Sequence, residues 1–586
     1  MAVRFLVGVL LGVVGLQAQT VFFPLKDVKP GMRGTGKTVF SGDRIEEFQV
    51  EILGTIENVG PKQHLVLARL SGGPLDKTGV LQGMSGSPVY LDGKLLGAVA
   101  LAFSFSKEPI AAIRPIDEVL RVSQSSAARP ALAKVSLWEQ DLTKQLSRPE
   151  TVAAGEALMT DIATPIHFGG FTRNTMESFA PQLRALGLEP RQGIAGGGKP
   201  APGFGDPARL MPGSMISVQL LSGDLSIGAD GTVTHVDGKH VYAFGHRFLS
   251  IGATELPFAR SEVLALLPNL ATSFKISAPR EWMGTITEDR SSAVSGELGR
   301  RASTVPLAIT VSRPGGSRAA YNIEMVNDRF LVPFLLQMAV YSAIDATERN
   351  VGSSTLSIRG EVEFRDETAP IRLSNMYSGE FSLPLQVSLA TAIPVAYALQ
   401  SGFDQLQLKN VKLDIESFDE KKQLQIDQAW ISRREARPGE TVELSVALSG
   451  SNGAEMIRKV PWMIPSGAPA GPVYFTVADG NTTNLTEYAR LIGATPRSPA
   501  LLVSFLNSLR GNTRAYVRVW RADPSFDVQG EDLPSPPPFL AQILSRNQAA
   551  VGGGIAWRNS KIGEMEIGAG DVVITGAKTV QVEIKE

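Results

Sequence analysis

The stretch LQGMSGSPVY at residues 81–90 carries the clearest chemical signal in the chain. Apolar runs on both sides predict strands, and the glycines predict a tight turn with Ser85 at its centre. Gly83 and Gly86 permit backbone angles that a residue with a Cβ resists. In such a turn the backbone N–H groups of Gly83 and Ser85 can form an oxyanion hole. We interpret Ser85 as a candidate nucleophile, and a plain hairpin turn is the alternative.

A serine hydroxyl is a weak nucleophile until a base accepts its proton, so a base is expected elsewhere in the chain. The run YAFGH at residues 242–246 predicts a strand that ends in a glycine followed by His246. A histidine in this position can be a positioned base, and a structural histidine is the alternative. His235 and His240 flank the turn of the same hairpin, where we predict that both are exposed to solvent and form no metal site.

Composition limits the classes of function that the chain can have. Its 586 residues predict about three to five domains. The 58 glycines and 37 prolines favour many turns and a β-rich architecture. The 57 lysines and arginines are balanced by 58 aspartates and glutamates, for a net charge of -1. The chain therefore lacks the excess of positive charge that a nucleic-acid partner favours. The absence of cysteine from the sequence excludes disulfides and a cysteine nucleophile. We predict neither a cofactor nor a metal.

The N-terminus has the pattern of a signal peptide. Arg4 precedes an apolar core at residues 5–16, and LQA at residues 16–18 fits a cleavage site before Gln19. The core is short for a membrane-spanning helix. We therefore predict export to the periplasm or the extracellular space. An uncleaved segment, which would anchor the protein to a membrane, is the alternative.

Residues 31–38, GMRGTGKT, match the P-loop pattern. A P-loop follows a buried strand and opens a helix whose N-terminus binds phosphate. Here the alternation of Ile45, Phe48, Val50 and Ile52 after the match predicts a strand instead. We interpret the match as chance and predict no nucleotide partner.

Three blocks of the sequence resemble the SpoIVB-type serine peptidases of the chymotrypsin-like clan. The first runs from the strand at residues 44–52 to GMSGSP at 83–88 and the strand at 93–99. The second runs from GTVT at 231–234 to AFGH at 243–246, and the third is GTIT at 284–287. The resemblance implies two β-barrel halves, a protein or peptide substrate, and roles for Ser85 as nucleophile and His246 as base.

The order of the blocks departs from the family pattern, because Ser85 precedes His246 in this chain. We interpret this as a circular permutation of the two barrel halves, which a domain with close termini tolerates. Catalytic triads also occur in every chain order on unrelated folds. We find no PDZ-like segment of the kind that the family usually has.

The family's catalytic aspartate, about fifteen residues before its serine, has no counterpart here. The matching run RLSGGP at residues 69–74 contains no acid. Asp76, Asp92, Glu255 and Asp289 are the candidates for orienting His246. A dyad without an acid and an inactive site are the alternatives.

The predicted architecture is mainly β and combines the resemblance with local patterns. Helices are expected at 127–146 and 175–186, an amphipathic helix at 256–267 and an apolar helix at 330–344. The predicted segments are a signal peptide at 1–18, the serine-bearing β-barrel half at 19–125, a partly helical connector at 126–209, the histidine-bearing β-barrel half at 210–315, a β-rich domain with the apolar helix at 316–425, an immunoglobulin-like sandwich at 426–478 and a mixed α/β region at 479–586.

The resulting hypothesis is an exported serine endopeptidase with Ser85 as nucleophile, His246 as base and the N–H groups of Gly83 and Ser85 as oxyanion hole. The alternative is an inactive, peptidase-like scaffold or binding protein of the bacterial cell envelope.

Overall fold

A computed structural model describes most of the chain. The described residues are 20–103, 106–124, 136–146, 148–154, 157–193, 201–270, 272–316, 318–347, 352–451, 453–491, 498–528, 531–534, 536–546, 555–557 and 559–586. The predicted signal peptide at residues 1–18 lies outside them. Among the described helices, none combines the length and apolar character needed to cross a bilayer.

The first barrel is formed by six strands that pair in a closed antiparallel ring. The ring order is β4-β1-β2-β3-β6-β5, and a pairing of β4 with β5 closes it. Phe48, Val50 and Ile52 alternate along the second strand and fill the interior, as their spacing predicted. The elements are β1 (Arg33–Ser41), β2 (Arg44–Gly60), β3 (Gln63–Ser71), α1 (Leu75–Thr78), β4 (Pro88–Leu91), β5 (Lys94–Phe103), β6 (Ile110–Pro115) and α2 (Ile116–Leu120).

The P-loop-like residues 31–38 run into β1, so no helix begins there. Short 3₁₀ helices lie at Leu25–Asp27, Arg121–Gln124 and Pro207–Arg209.

The segment between the two barrels adds strands to both sheets. The strands β7 and β8 extend the first sheet beyond β5, whereas β9 and β10 extend the second sheet. The predicted helix at 175–186 is confirmed, and residues 136–146, where the other helix was predicted, contain none; residues 127–135 lie outside the described residues. The elements are β7 (Thr151–Ala154), β8 (Ala157–Asp161), β9 (Thr164–Gly169), α3 (Arg173–Ala185), β10 (Leu188–Gln192) and β11 (Ala201–Phe204).

The second barrel is also a closed ring of six antiparallel strands. The ring order is β13-β14-β17-β16-β15-β12, and a pairing of β12 with β13 closes it. The strands are β12 (Met215–Gly223), β13 (Ser226–Asp237), β14 (His240–Ala243), β15 (Gly252–Leu267), β16 (Phe274–Arg290) and β17 (Ala293–Leu298). The mainly β fold with two barrels is therefore confirmed.

Two local predictions in the second barrel are wrong. Residues 256–267 form part of strand β15, paired with β16, and not an amphipathic helix. Their polar residues Arg260 and Ser261 are buried and do not form an exposed face. Arg260 binds Glu281 of the neighbouring strand through a 2.7 Å contact. His235 is buried rather than exposed, because its ring lies between the rings of Tyr242 and Phe22.

The second sheet continues past the barrel through a pairing of β12 with β19. The apolar helix predicted at 330–344 is confirmed as α4, which is buried along its whole length between strands and α5. An all-round apolar helix is expected in such a core position. The elements are β18 (Thr304–Ser312), β19 (Arg318–Val326), α4 (Leu331–Asp345), β20 (Ser354–Phe364), β21 (Ile371–Gly379), α5 (Leu383–Leu399) and β22 (Leu408–Phe418).

The C-terminal part contains two sheets that share one apolar core. Their strand orders are β26-β25-β23-β33 and β24-β34-β27-β28-β32, so the pairings cross the predicted boundary at residue 478. The immunoglobulin-like character and the exact domain limits remain predictions. The elements are β23 (Gln423–Ile431), β24 (Glu435–Ala436), β25 (Thr441–Gly450), β26 (Glu455–Met463), β27 (Gly471–Asp479), α6 (Gly480–Leu491), α7 (Pro499–Asn507), β28 (Arg514–Arg521), β29 (Ser525–Val528), β30 (Glu531–Pro534), α8 (Pro538–Arg546), β31 (Ile555–Trp557), β32 (Ser560–Gly568), β33 (Val573–Thr575) and β34 (Ala577–Ile584).

Candidate active site

The serine turn precedes β4 and has the left-handed backbone that its glycines permit. Gly83 has φ +91° and Gly86 has φ +92°. A Cβ on Gly86 would lie 2.0 Å from the carbonyl oxygen of Thr232, so the close approach of the second barrel also requires a glycine here. Ser85 is fully buried, and among the described residues its Oγ has no hydrogen-bond partner.

The backbone N–H groups of the turn divide into two sets. One set donates to carbonyl oxygens: Gln82 to Ser273, Met84 to Leu81, Gly86 to Val99 and Ser87 to Met84. The other set consists of Gly83 and Ser85, for which no acceptor is found within the described part of the chain. Buried N–H groups are almost always paired, so two exceptions on either side of Met84 indicate a position for an acceptor from outside the chain. These are the two groups that the sequence predicted as an oxyanion hole.

Strand β13 of the second barrel holds the carbonyl side of the turn. The hydroxyl of Thr232 donates to the carbonyl oxygen of Gly83 at 2.8 Å, and that of Thr234 donates to Gly86 at 2.8 Å. The N–H of Thr232 also donates to the carbonyl oxygen of Ser85 at 2.9 Å. These carbonyls share their peptide planes with the N–H groups of Met84, Gly86 and Ser87, so the bonds hold the planes that flank the Ser85 N–H.

The histidine follows β14 through a sharp change of backbone direction. Phe244 and Gly245 both have positive φ, at 71° and 66°. A Cβ on Gly245 would lie 2.8 Å from the Ala98 Cβ and 3.5 Å from the Gly86 N, so this segment packs directly on the serine turn. The structure therefore brings the serine and histidine blocks together, although they are far apart in sequence.

The His246 ring has a defined tautomer. Its Nδ1 lies 2.6 Å from the carbonyl oxygen of Arg247, and a carbonyl can only accept, so Nδ1 carries the hydrogen. The lone pair is then on Nε2, which is buried and has no hydrogen-bond partner among the described residues. Burial lowers the pKa of His246, which keeps the ring neutral and able to accept a proton.

Ser85 and His246 are not hydrogen-bonded to each other. Both Ser85 Oγ and His246 Nε2 lie in the interior without a partner, and the side chains of these residues are 0% and 2% exposed. Catalytic hydrogen bonds are often long or misaligned in enzymes without substrate. Both groups are therefore buried and unpaired, and no hydrogen bond joins them.

Sequence reasoning missed Asp161, at the end of β8. The negative charge of Asp161 raises the pKa of His246 and opposes the effect of burial. Its Oδ2 accepts from the N–H of Glu150 at 2.8 Å and lies 3.5 Å from Arg247 Nε. Its Oδ1 is buried and without a hydrogen-bond partner among the described residues. No sequence motif marks this residue; it reaches the site because β8 pairs with β5.

The four acids considered from the sequence lie elsewhere. Asp76 and Asp92 are exposed, and Glu255 binds Arg300 at 2.8 Å. Asp289 is fully buried and accepts from the N–H groups of Phe248 and Leu249, so it holds the loop that follows His246. Burial raises the pKa of Asp289 to about 6. None of the four contributes to the shift of the His246 pKa.

A buried arginine, Arg114, forms a hydrogen bond to the backbone directly before His246. Arg114 is fully buried, and its Nε donates to the carbonyl oxygen of Gly245 at 3.1 Å. Its remaining nitrogens face Glu150 at 3.0 Å and Glu118 at 3.5 Å. A buried charge needs such partners, and here they fix the backbone directly before His246. His167 is not part of this cluster: its Nε2 lies 2.9 Å from Asp230 Oδ2.

Two closed antiparallel barrels, one with a serine turn and the other with a histidine at a strand end, define a chymotrypsin-like double-barrel fold. Residues 22–109 match the family model described as SpoIVB peptidase S55. The resemblance to SpoIVB-like serine peptidases is confirmed for this part of the chain, which contains Ser85; His246 lies outside the matched residues. A peptidase family acts on proteins or peptides. No curated protein and no solved structure gives a significant match.

Among the described residues, no group of three or more histidine, aspartate or glutamate side chains is arranged to hold a metal ion.

Proposed function

We propose that the protein is an exported serine endopeptidase in which Ser85 is the nucleophile and His246 the general base. The observation that carries the proposal is the pair of unused N–H groups at Gly83 and Ser85, in a turn whose other backbone N–H groups, from Gln82 to Ser87, are all paired. The family match at residues 22–109 supports the reaction class. Export is supported by the N-terminal sequence pattern.

The chemistry follows from the tautomer of His246. Nε2 accepts the proton of the Ser85 hydroxyl while Oγ forms a bond to the peptide carbonyl carbon, and the carbonyl oxygen becomes an oxyanion. The Gly83 and Ser85 N–H groups donate to that oxyanion. Collapse of the intermediate breaks the C–N bond, and the imidazolium returns the proton to the leaving amine. Water then attacks the acyl group by the same route and releases the acid.

We assign the role of orienting and stabilising the His246 ring to two groups. The carbonyl oxygen of Arg247 holds Nδ1–H, and the charge of Asp161 stabilises the imidazolium that forms when Nε2 is protonated. Together they replace the aspartate that is absent from residues 69–74.

Hydrolysis of a mixed peptide library by the purified mature protein tests this proposal. We expect cleavage by the wild type, and a fall of about 10³-fold or more for Ser85→Ala and for His246→Ala. Ser87→Ala is the matched control, because Ser87 lies in the same turn and its hydroxyl is also buried without a partner among the described residues. Full Ser85-dependent hydrolysis by His246→Ala would contradict the assigned mechanism.

The unmade contact between Ser85 and His246 favours one alternative, a peptidase-like scaffold or binding protein of the cell envelope. Under that alternative none of the four forms cleaves any peptide, at any pH.

A further inference from the structure

The candidate site is closed to any polypeptide. Ser85 is 0% and His246 is 2% exposed, and the whole turn from Gly83 to Ser87 is buried. A peptide bond can meet Ser85 only if a covering element moves. Three elements lie directly on the serine turn: β13, the segment before His246 and the segment 273–275, which leads into β16. The segment 273–275, which we call the strap, is the one bonded to Gln82, directly before the first candidate oxyanion donor.

The strap is joined to the turn by main-chain hydrogen bonds. The N–H of Gln82 donates to the carbonyl oxygen of Ser273 at 2.9 Å, and the N–H of Lys275 donates to that of Gln82 at 3.3 Å. The Ser273 hydroxyl donates to the carbonyl oxygen of Thr78 at 2.7 Å. The Gln82 carbonyl shares its peptide plane with the Gly83 N–H, so the strap holds the first candidate oxyanion donor in place.

The side chain of Lys275 fastens the strap inside the fold. Lys275 is fully buried, and its Nζ donates to the hydroxyl of the fully buried Thr38 at 2.7 Å. Its Cδ lies 3.3 Å from the position that a Cβ on Gly83 would occupy. An ammonium group has three N–H donors, and among the described residues only Thr38 accepts one. The uncharged amine is therefore the form that this cavity favours.

We propose that Lys275 is a positioning residue whose uncharged amine keeps the strap closed over the oxyanion turn, and that the strap opens to admit substrate to Ser85. The proposal rests on the proposed function, since it explains how a buried serine meets a polypeptide.

The proposal gives the site an unusual dependence on pH. Burial lowers the pKa of Lys275 in the closed form from 10.5 to about 7. The titratable and charged groups facing this region are Asp230, His167 and Arg191. The charge of Asp230 opposes the shift of the Lys275 pKa, His167 Nε2 lies 2.9 Å from Asp230, and Arg191 lies 3.9 Å above the ring of Phe274. Between pH 7 and pH 10.5 the Lys275 amine is therefore mostly unprotonated in the closed form and protonated in the open form. The equilibrium constant for opening of the strap therefore increases by up to about tenfold per pH unit as the pH falls from 10.5 to 7. It is constant below pH 7.

The rate of Ser85 labelling by a fluorophosphonate measures opening. We expect labelling of the wild type to be faster at pH 7 than at pH 9, by up to about 100-fold. Lys275→Met keeps the length of the side chain without a titrating group, and its labelling is expected to be slow and constant between these pH values. A wild-type rate that rises from pH 7 to pH 9, or equal pH dependence in the two forms, overturns the proposal.

An engineered disulfide tests the opening of the strap directly. It can be formed selectively because the chain contains no cysteine of its own. Gln82 and Phe274 are paired across a parallel bridge. Neighbouring strands lie about 4.7–4.9 Å apart, within the Cα separation of about 4.4–6.8 Å that a disulfide spans. In the double variant Gln82→Cys/Phe274→Cys, we expect labelling to be at least about tenfold slower when oxidised than when reduced. Equal labelling rates for the oxidised and reduced protein overturn the proposal that the strap opens.

Hydrogen exchange at the Lys275 amide separates this proposal from the proposed function. After correction for the intrinsic rate, protection that falls from pH 9 to pH 7 in the wild type, and is constant in Lys275→Met, supports the strap even if Ser85 proves unreactive. In that event only the peptidase assignment fails. Protection that is independent of pH in the wild type overturns the strap.

Discussion

The hydroxyl of Thr232 donates a 2.8 Å hydrogen bond to the carbonyl oxygen of Gly83, and this bond joins the two barrels at the candidate oxyanion hole. Because the bond fixes a peptide plane of the serine turn, the second barrel contributes to the geometry of a site whose nucleophile lies on the first. The candidate chemistry therefore depends on how the barrels pack together, in addition to the turn itself.

Thr232→Val removes this donor and leaves a buried carbonyl unpaired. We expect the free energy of unfolding to fall by about 1–3 kcal/mol. We expect peptide hydrolysis to fall by about 10²-fold, because the Gly83–Met84 peptide, which lies between the two candidate oxyanion donors, loses its hydrogen bond to the second barrel. Thr285→Val is the matched control, since Thr285 is also fully buried and donates to the Arg300 carbonyl at 2.8 Å. It should lose similar stability and keep its activity. Equal activity in the two variants would argue against the role of Thr232.

Asp161→Asn tests the acid that the structure brings to His246. Loss of the negative charge lowers the His246 pKa further and removes the stabilisation of the imidazolium. We expect hydrolysis to fall by about 10²–10⁴-fold, and the remaining activity to extend to lower pH. The exposed Asp76→Asn serves as control. An unchanged pH profile in Asp161→Asn would remove Asp161 from the site.

A comparison of alanine variants at two glycines with positive φ, Gly86 and Gly93, distinguishes the cost of backbone strain from the cost of close packing. Gly86 has a backbone atom 2.0 Å from the position of an added Cβ, whereas Gly93, with φ +72°, has no atom within 4 Å. Gly93→Ala is expected to cost about 1–2 kcal/mol of unfolding free energy from strain alone. Gly86→Ala is expected to cost about 3 kcal/mol or more, because the barrels must also separate. Chemical denaturation of both variants measures the difference, and equal losses would contradict the close approach.

The decline of hydrolysis at low pH follows from His246. A base is active in its neutral form, and burial lowers the pKa of His246 from 6.5. Activity should therefore persist down to pH 6.5 and fall only at lower pH, where the ring becomes protonated. The profile of kcat/KM for a cleaved peptide measures this. His240→Ala, an exposed residue of the same hairpin, should leave the profile unchanged. An acid limb centred above pH 6.5 would exclude His246 as the base.

Local patterns predicted those features that depend on neighbouring residues. The alternation around Phe48 predicted β2, and the apolar run at 330–344 predicted α4. The double barrel came from the family resemblance rather than from periodicity. The strand at 256–267 was missed because a buried Arg260, paired across strands, has the polar character of an exposed residue.

Residues brought in by long-range pairing had no local signal. Asp161 reaches the histidine because β8 pairs with β5, and Lys275 reaches the oxyanion turn through a bridge between Gln82 and Phe274. His235 was predicted to be exposed because its hairpin position is visible in the sequence, whereas the ring of Phe22 that covers it comes from more than 200 residues away. These contacts arise from the order in which strands join the sheets.

The most direct measurement of the central claim is the site of fluorophosphonate attachment, mapped by mass spectrometry on the purified mature protein at pH 7. We expect one adduct, on Ser85, that is retained in Ser87→Ala and lost in His246→Ala. An adduct on another residue, or labelling of Ser85 at an unchanged rate without His246, would contradict it.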